Sequence, residues 1–147
     1  MDVSSKPMTG KICMVTGATS GLGKATAQGL AQMDAHVVMV CRNQARGEKV
    51  QDEIKQRNGN ANIDLLLADL SSQQSIRQLA RDFTQRYDRL HVLINNAGSV
   101  FLRRQLSIDG IEMTFALNHL ASFLLTNLLL DVLKASAPAR KIGRAHV

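Results

Sequence analysis

The segment from Thr16 to Gly23, which reads Thr-Gly-Ala-Thr-Ser-Gly-Leu-Gly, constrains the fold of this chain more than any other. It follows the apolar run 12–15 directly and opens a helical pattern. Its glycines let the backbone turn sharply and approach a ligand where a Cβ would clash. Strand, glycine turn and helix N-terminus together form a phosphate site, because free N–H groups and the positive end of the helix dipole converge there. The alternative is an ordinary strand-to-helix turn.

Three other glycine-rich motifs do not fit the residues of this segment. A P-loop requires a glycine where this chain has Ala18 and a Ser or Thr where it has Ala25. The plain dinucleotide motif G-x-G-x-x-G, counted from Gly21, would place Thr26 last. The esterase motif G-x-S-x-G lacks both of its glycines around Ser20. The segment fits T-G-x-x-x-G-x-G instead.

Three further motifs follow along the chain in a fixed order. They are Asp69-Leu70, then Asn95-Asn96-Ala97-Gly98, then Asn118-His119-Leu120. Together with the glycine segment, they resemble the short-chain dehydrogenase/reductase family over about residues 10–140. The region around Asn118 is most similar to the retinol-dehydrogenase-like branch of that family.

The alternation of predicted strands and helices indicates an α/β fold with a Rossmann-type doubly wound parallel sheet. We predict strands at 11–16, 36–41, 63–68 and 91–95, and helices at 21–33, 44–57, 73–86 and about 110–134. The sheet is expected to be incomplete, with the first four strands in the order 3-2-1-4 and the fourth strand as an unpaired edge. The predicted organisation is a disordered leader 1–9, the N-terminal part of an NAD(P)-binding Rossmann domain 10–140, and a non-native tail 141–147.

The tail is predicted from the codons that can encode it. Residues 141–147, Lys-Ile-Gly-Arg-Ala-His-Val, can be written as the start of a common sequencing-library adapter. The alternative is a genuine short isoform.

Composition excludes several classes of partner. The chain has one Tyr, four Phe and no Trp, too few aromatics for a base-stacking nucleic-acid surface. Its net charge of +6 comes from scattered residues and indicates only a weak preference for anionic ligands. Polar residues interrupt the fourth predicted helix, so we expect a buried or subunit-interface helix and no membrane span. The four histidines are far apart, so no metal site is predicted.

The two cysteines bear on the location of the protein. Cys13 and Cys41 lie in separate predicted strands, and no signal peptide precedes the first strand. Reduced thiols and a cytoplasmic location are therefore expected.

The residue after the second predicted strand indicates which nicotinamide cofactor binds. An acid there accepts a hydrogen bond from the 2′-hydroxyl of NAD, whereas an Arg pairs with the 2′-phosphate of NADP. Arg42 occupies this place, while Asp34 lies at the wrong end of the strand and Glu48 lies a turn into the next helix. NADP (NADPH) is therefore the preferred cofactor and NAD is possible. The alternative is that Arg42 caps a surface turn.

The resemblance also implies individual roles for residues of the motifs. Asp69 would accept from the adenine amino group, with capping of the next helix as the alternative. Asn118 would be catalytic, its backbone carbonyl holding a water of the proton relay, although a buried hydrogen-bonding role is the alternative. The remaining implied cofactor-binding residues are Thr16, Gly17, Ser20, Gly21, Leu22, Gly23, Leu70, Asn95, Ala97 and Gly98.

The family reaction is hydride transfer between the nicotinamide and an alcohol or carbonyl carbon. It needs a Tyr as general acid/base and a Lys four residues later. The single tyrosine of this chain, Tyr87, is followed four residues later by His91, so the catalytic pair is absent from this sequence. We call the longer protein of which this chain would be the N-terminal part the parent protein. The parent protein is expected to interconvert a lipophilic alcohol and an aldehyde or ketone, and to form a homo-oligomer that pairs through the long helix. This chain is expected to be inactive. The alternative is a non-catalytic nucleotide-binding or interaction module.

Overall fold

Five parallel strands form one sheet in the spatial order β3-β2-β1-β4-β5. The structure is a computed structural model, and it describes residues 6–144. The strands are β1 Ile12–Thr16, β2 His36–Cys41, β3 Ile63–Leu67, β4 Val92–Asn95 and β5 Arg140–Gly143. The chain moves outward from β1 to β3 and then returns to β4 on the other side of β1. The carboxyl ends of β1 and β4 therefore meet at the point where the strand order reverses, which is where sheets of this kind bind ligands.

Helices cover both faces of the sheet. The three long helices are α1 Gly21–Gln32, α2 Gln44–Asn58 and α3 Gln73–Arg86. A less regular helical segment follows, with α4 Met113–Phe115, a π-helical turn Ala116–Leu120, α5 Ala121–Leu128 and α6 Leu130–Ala135. No helix among residues 6–144 combines the length and the apolar character that crossing a bilayer requires.

The central strands are apolar throughout because side chains alternate between two packed faces. Cys13 and Val15 belong to the core beneath α1 and α2, whereas Met14 belongs to the core beneath α3 and α5. All three are fully buried. Burial on both faces is the usual state of a central parallel strand, and it explains why the run lacks the polar alternation of a half-exposed strand. The predicted doubly wound parallel fold is confirmed.

The predicted count of four strands is wrong, because β5 pairs with β4 along its whole length. The edge of β4 that was expected to be unpaired is therefore covered. Residues 141–143 of the predicted tail lie in β5, and all four residues of that strand are exposed. Residues 145–147 lie outside the described residues, and the non-native origin of the tail stays a prediction.

The N-terminal boundary also differs from the expectation. Residues 1–5 of the predicted disordered leader lie outside the described residues. Residues 6–9 lead into a turn, where the Met8 N–H donates to the Met33 carbonyl at 3.0 Å and Met8 packs against the core. Met8, which belongs to the predicted leader, therefore contributes to the folded domain.

The long helix begins later than expected and is not continuous. It starts at Met113 rather than near Gly110, because the Glu112 carboxylate accepts hydrogen bonds from the Phe115 and Thr114 N–H groups at 2.9 and 3.0 Å. These bonds lower the pKa of Glu112. The π-helical turn and a break at Leu129 then change the phase of the helix. Most of its leucines consequently pack on the core and few remain exposed.

A cluster of three polar side chains joins the sheet to α3 at the amino-terminal edge of the strands. The Asp64 carboxylate accepts hydrogen bonds from the Tyr87 hydroxyl and from His36 Nε2, the latter at 2.7 Å. Burial by itself raises the pKa of Asp64, but the bonds from Tyr87 and His36 outweigh it and the net pKa is lowered. The Asp64 charge therefore favours the folded state.

Replacing Asp64 by Asn is expected to destabilise the fold in a pH-dependent way. The folded pKa lies below the ordinary value, so the stabilisation is present above that value and disappears as pH falls through the folded pKa. The Asp64 side chain is 41% exposed, so solvent reduces the loss to about 1 kcal/mol at neutral pH. Urea unfolding at neutral and acidic pH measures it, with Asp52→Asn on the exposed face of α2 as control. A loss that is the same at both pH values would contradict this role.

Candidate functional site

A cavity of about 500 Å³ opens at the carboxyl ends of the strands, where the strand order reverses. Eight residues predicted from the sequence line it, namely Gly17, Ser20, Gly21, Leu22, Arg42, Leu70, Ala97 and Gly98. Ten more were not predicted, namely Thr19, Val40, Cys41, Arg46, Ala68, Asn96, Ser99, Phe101, Leu117 and Arg144. Thr16, Gly23, Asp69, Asn95 and Asn118 lie outside this lining set.

The glycine turn requires glycine at two positions that line the cavity. Gly17 and Gly21 have φ of 64° and 52°, the left-handed region that other residues rarely adopt. Position 23 also requires glycine, but for a different reason: a Cβ there would lie 2.1 Å from the Gly17 carbonyl oxygen. The first turn of α1 therefore packs directly on the turn that precedes it, and Gly23 acts by close packing rather than by lining the cavity.

The N-terminus of α1 has no cap of its own. The Ser20 side chain makes no capping hydrogen bond, and no acidic residue lies in the first turn. By contrast, Asn43 caps α2 and Ser72 caps α3 through side-chain bonds to backbone N–H groups. The first-turn N–H groups of α1 are thus left for a ligand, and an anion is the ligand that they and the helix dipole favour.

Thr16 and Asn96 join the ends of β1 and β4. The buried Thr16 hydroxyl oxygen accepts hydrogen bonds from the backbone N–H groups of Asn96 and Ala97, both at 3.0 Å. The Asn96 amide donates in return to the carbonyls of Thr16 and Gly17 at 3.1 and 3.3 Å. Thr16 therefore positions the site without lining it. Asn96 belongs to the Asn-Asn-Ala-Gly motif found in the sequence but was not among the residues predicted to bind the cofactor.

Asn95 and Asn118 line a neighbouring cavity of about 280 Å³, which shares Ala97 and Arg144 with the first. The Asn95 amide donates to the Thr126 hydroxyl at 3.1 Å, which ties β4 to α5. The Asn118 side chain both accepts from the Ser99 N–H and donates to the Ser99 carbonyl, each at 2.8 Å. It thereby holds the loop after β4 against the π-helical turn. The expected role of its backbone carbonyl stays a prediction.

Asp69 shapes the loop that leads into α3. Its carboxylate accepts from the Ser71 N–H at 2.9 Å and from the Ser71 hydroxyl at 2.6 Å. The cap of α3 is Ser72, so Asp69 is not the capping residue. Its predicted contact with an adenine amino group stays a prediction.

The charge of the cavity is positive. Its described lining residues contain Arg42, Arg46 and Arg144 and no acidic side chain. Cys41 also lines it, and burial raises the pKa of that thiol, which keeps it protonated near neutral pH. Arg46 lies four residues after Arg42, a spacing that places the two side chains on the same side of a helical turn.

Tyr87 lies far from the cavity. It follows α3 at the amino-terminal edge of the sheet, opposite the cavity, and its hydroxyl donates to Asp64. Burial and then the Asp64 carboxylate raise its pKa well above the ordinary value. The single tyrosine of the chain is therefore a structural residue.

A doubly wound parallel sheet with a glycine turn at the reversal of strand order, an uncapped helix N-terminus and a basic cavity defines a dinucleotide-binding Rossmann-type domain. The chain belongs to the short chain dehydrogenase family, whose model matches residues 11–144.

Several known proteins are similar to it. Retinol dehydrogenase 11 of Homo sapiens is 46% identical over 140 residues, covering 95% of this chain and 44% of the relative. Polyprenol dehydrogenase of Homo sapiens is 42% identical over 130 residues, covering 88% of this chain and 39% of the relative. The Pseudomonas aeruginosa RhlG/NADP active-site complex has a TM-score of 0.78 at 30% identity, covering 92% of this chain and 54% of that one. The chain thus spans less than half the length of the two curated relatives.

Two glycines of α1 give a matched test of the close packing at the site. Gly23→Ala is expected to destabilise the fold by about 2 kcal/mol or more, since the new Cβ must displace the backbone of Gly17 and the Asn96 amide. Gly29→Ala is expected to stabilise it by about 0.5 kcal/mol, because nothing lies within 4 Å of its Cβ position. Urea unfolding measures both. Equal effects of the two substitutions would show that Gly23 is not a packing site.

Proposed function

We propose that the protein is an NADP(H)-preferring oxidoreductase that interconverts a lipophilic alcohol and its aldehyde or ketone by hydride transfer. The observation that carries this proposal is the basic cavity, with Arg42 at the end of β2 and no acidic residue among its described lining. An acid at that position would favour the ribose hydroxyl of NAD and repel a 2′-phosphate. The similar RhlG structure is a complex with NADP, which supports the same choice.

The residues present fit such a cofactor along its length. The N–H groups at the start of α1 would hold the pyrophosphate, and Arg42 would hold the 2′-phosphate. Ala68 and Leu70 offer an apolar wall at the end of β3 for the adenine, with Asp69 beside them. Ala97 and Gly98 leave room for the nicotinamide ribose. When bound, the nicotinamide supplies the hydride, and the role of this chain is to bind and orient it.

The substrate class rests on the named relatives. Retinol dehydrogenase 11 and polyprenol dehydrogenase are named for alcohols with long apolar chains. We propose a substrate of the same class, a lipophilic alcohol or carbonyl compound, for the parent protein. We also propose that Asn118, which lies in the π-helical turn, contributes to the proton relay of the parent protein.

A second candidate function is a non-catalytic nucleotide-binding or interaction module that pairs through the long helix. Phe115, His119 and Phe123 form an exposed stripe along this helix, with ring centroids 5.2 and 6.3 Å apart. The stripe also supports the proposed homo-oligomer of the parent protein. The two candidates differ in one observable: an extended version of the protein with a Tyr-x-x-x-Lys motif favours the enzyme, and one without it favours the module.

Two proposals concern the setting of the chain. We propose a cytoplasmic location, which is supported by Cys13 and Cys41 being buried free thiols. We also propose that residues 141–147 are a non-native tail, on the strength of the codon match. The source DNA beyond the codon for Arg140 tests the second proposal, and an uninterrupted genomic reading frame for these residues would overturn it.

The 147-residue chain is expected to bind NADPH without turning over an alcohol or a carbonyl compound. General acid/base catalysis contributes about 10²–10⁴-fold, and neither the Tyr nor the Lys that provides it in the family is present. Cofactor fluorescence with retinal as substrate measures turnover, and binding of NADPH in the same preparation is the control. Turnover at the rate of a short-chain dehydrogenase with both residues would refute this.

Arg42→Ala is expected to weaken NADPH binding by about ten- to a hundredfold, since a charge-assisted pair to a phosphate contributes about 1.5–3 kcal/mol. NADH binding should change less than twofold, because that cofactor has no 2′-phosphate. Fluorescence titration of both cofactors provides the measurement, with Arg77→Ala on α3 as control. Equal losses for NADPH and NADH would assign Arg42 a structural role.

A further inference from the structure

We propose that Arg46 is a second cation for the 2′-phosphate and shares with Arg42 the discrimination between NADP and NAD. This inference rests on the proposed function and deepens it by assigning a specificity-determining residue. Arg42 lies between β2 and α2, and Arg46 is the third residue of α2, yet both line the same cavity. A phosphate monoester carries a charge of about −1.5 to −2 near neutral pH, so one guanidinium leaves part of it unmatched.

The turn between β2 and α2 fixes the backbone position of Arg46. The Asn43 side chain accepts a hydrogen bond from the Arg46 N–H at 2.9 Å, which defines the start of the helix. One residue later, Gly47 lies so close to the sheet that a Cβ would meet Cys41 Sγ at 2.6 Å and Leu65 at 2.8 Å. The first turn of α2 is thus held against Cys41 at the end of β2 and Leu65 in the middle of β3. This close packing places the backbone of Arg46 beside the cavity.

Both guanidinium groups are available for a ligand. Neither makes a hydrogen bond or an ion pair with another side chain or carbonyl of residues 6–144, and both side chains are exposed. The nearest acid on α2, Glu48, does not line the cavity and accepts a hydrogen bond from Gln44 at 2.8 Å. Lys24 at the start of α1 pairs with Glu53 instead, at 2.6 Å. Around the part of the cavity where the adenosine would bind, the described side chains of Arg42 and Arg46 therefore have no competing partner.

Alternative functions of Arg46 are less consistent with these contacts. A surface ion pair would need an acid within reach, and within residues 6–144 none pairs with it. A capping role is excluded because only its backbone N–H takes part in the cap of α2. A planar fork of donors beside a second fork is a suitable arrangement for bidentate contact with phosphate oxygens.

The test uses two nucleotides that occupy only the adenosine half of the site, 2′,5′-ADP and 5′-AMP. Calorimetric titration of the 147-residue chain is expected to show tighter binding of 2′,5′-ADP. Arg46→Ala should weaken 2′,5′-ADP by about tenfold and 5′-AMP by less than about twofold. Arg46→Lys should give an intermediate loss, because it keeps the charge but not the fork. Arg57→Ala, in the last turn of the same helix, should change neither affinity.

The outcomes separate this inference from the proposed function. If the unsubstituted 147-residue chain binds 2′,5′-ADP no more tightly than 5′-AMP, the proposed NADP preference is wrong and this inference is wrong with it. If it prefers 2′,5′-ADP but Arg46→Ala behaves like Arg57→Ala, Arg42 acts alone and only this inference is wrong. Equal losses of both nucleotides would make Arg46 a structural residue. Thermal unfolding of each variant shows that the comparison is made between folded proteins.

Discussion

The contact between the β1 turn and the end of β4 is the interaction on which the rest of the site depends. The Thr16 hydroxyl and the Asn96 amide join these two segments through four hydrogen bonds between 3.0 and 3.3 Å. This brings Gly17 against Ala97 and lets α1 start directly above the turn. Because the strand order reverses between β1 and β4, the same contact joins the two central strands and holds Gly17, Asn96 and Ala97 in place at the cavity. Folding and ligand binding therefore share one set of bonds.

The fold and the core of the site were predictable because their signals are local. The apolar runs of the first four strands, the glycine turn and the Asn-Asn-Ala-Gly motif each depend on a few adjacent residues. Their order along the chain was sufficient to predict a doubly wound sheet. Eight of the predicted cofactor-binding residues lie in the cavity. The other four lie outside its lining: Thr16 and Gly23 position the turn, Asn95 ties β4 to α5, and Asp69 shapes the loop before α3.

The features that sequence reasoning missed depend on contacts between distant segments. The strand β5 is short, charged and exposed, so only its pairing with β4 identifies it. The helix start at Met113 depends on the Glu112 carboxylate rather than on hydrophobic periodicity. Arg46 was not selected because its spacing from Arg42 is that of any two residues on a helical face. Its position becomes informative only from the structure, in which α2 packs closely on β2 and β3 at Gly47.

The uncapped start of α1 has a consequence for how the site tolerates sequence change. Its binding groups are backbone N–H donors, which every residue except proline carries whatever its side chain. Most exchanges of side chains around the turn would leave those donors in place, whereas an added methyl group at Gly17, Gly21 or Gly23 would disturb the backbone geometry that presents them. The recognition element is thus encoded in chain geometry more than in chemical identity.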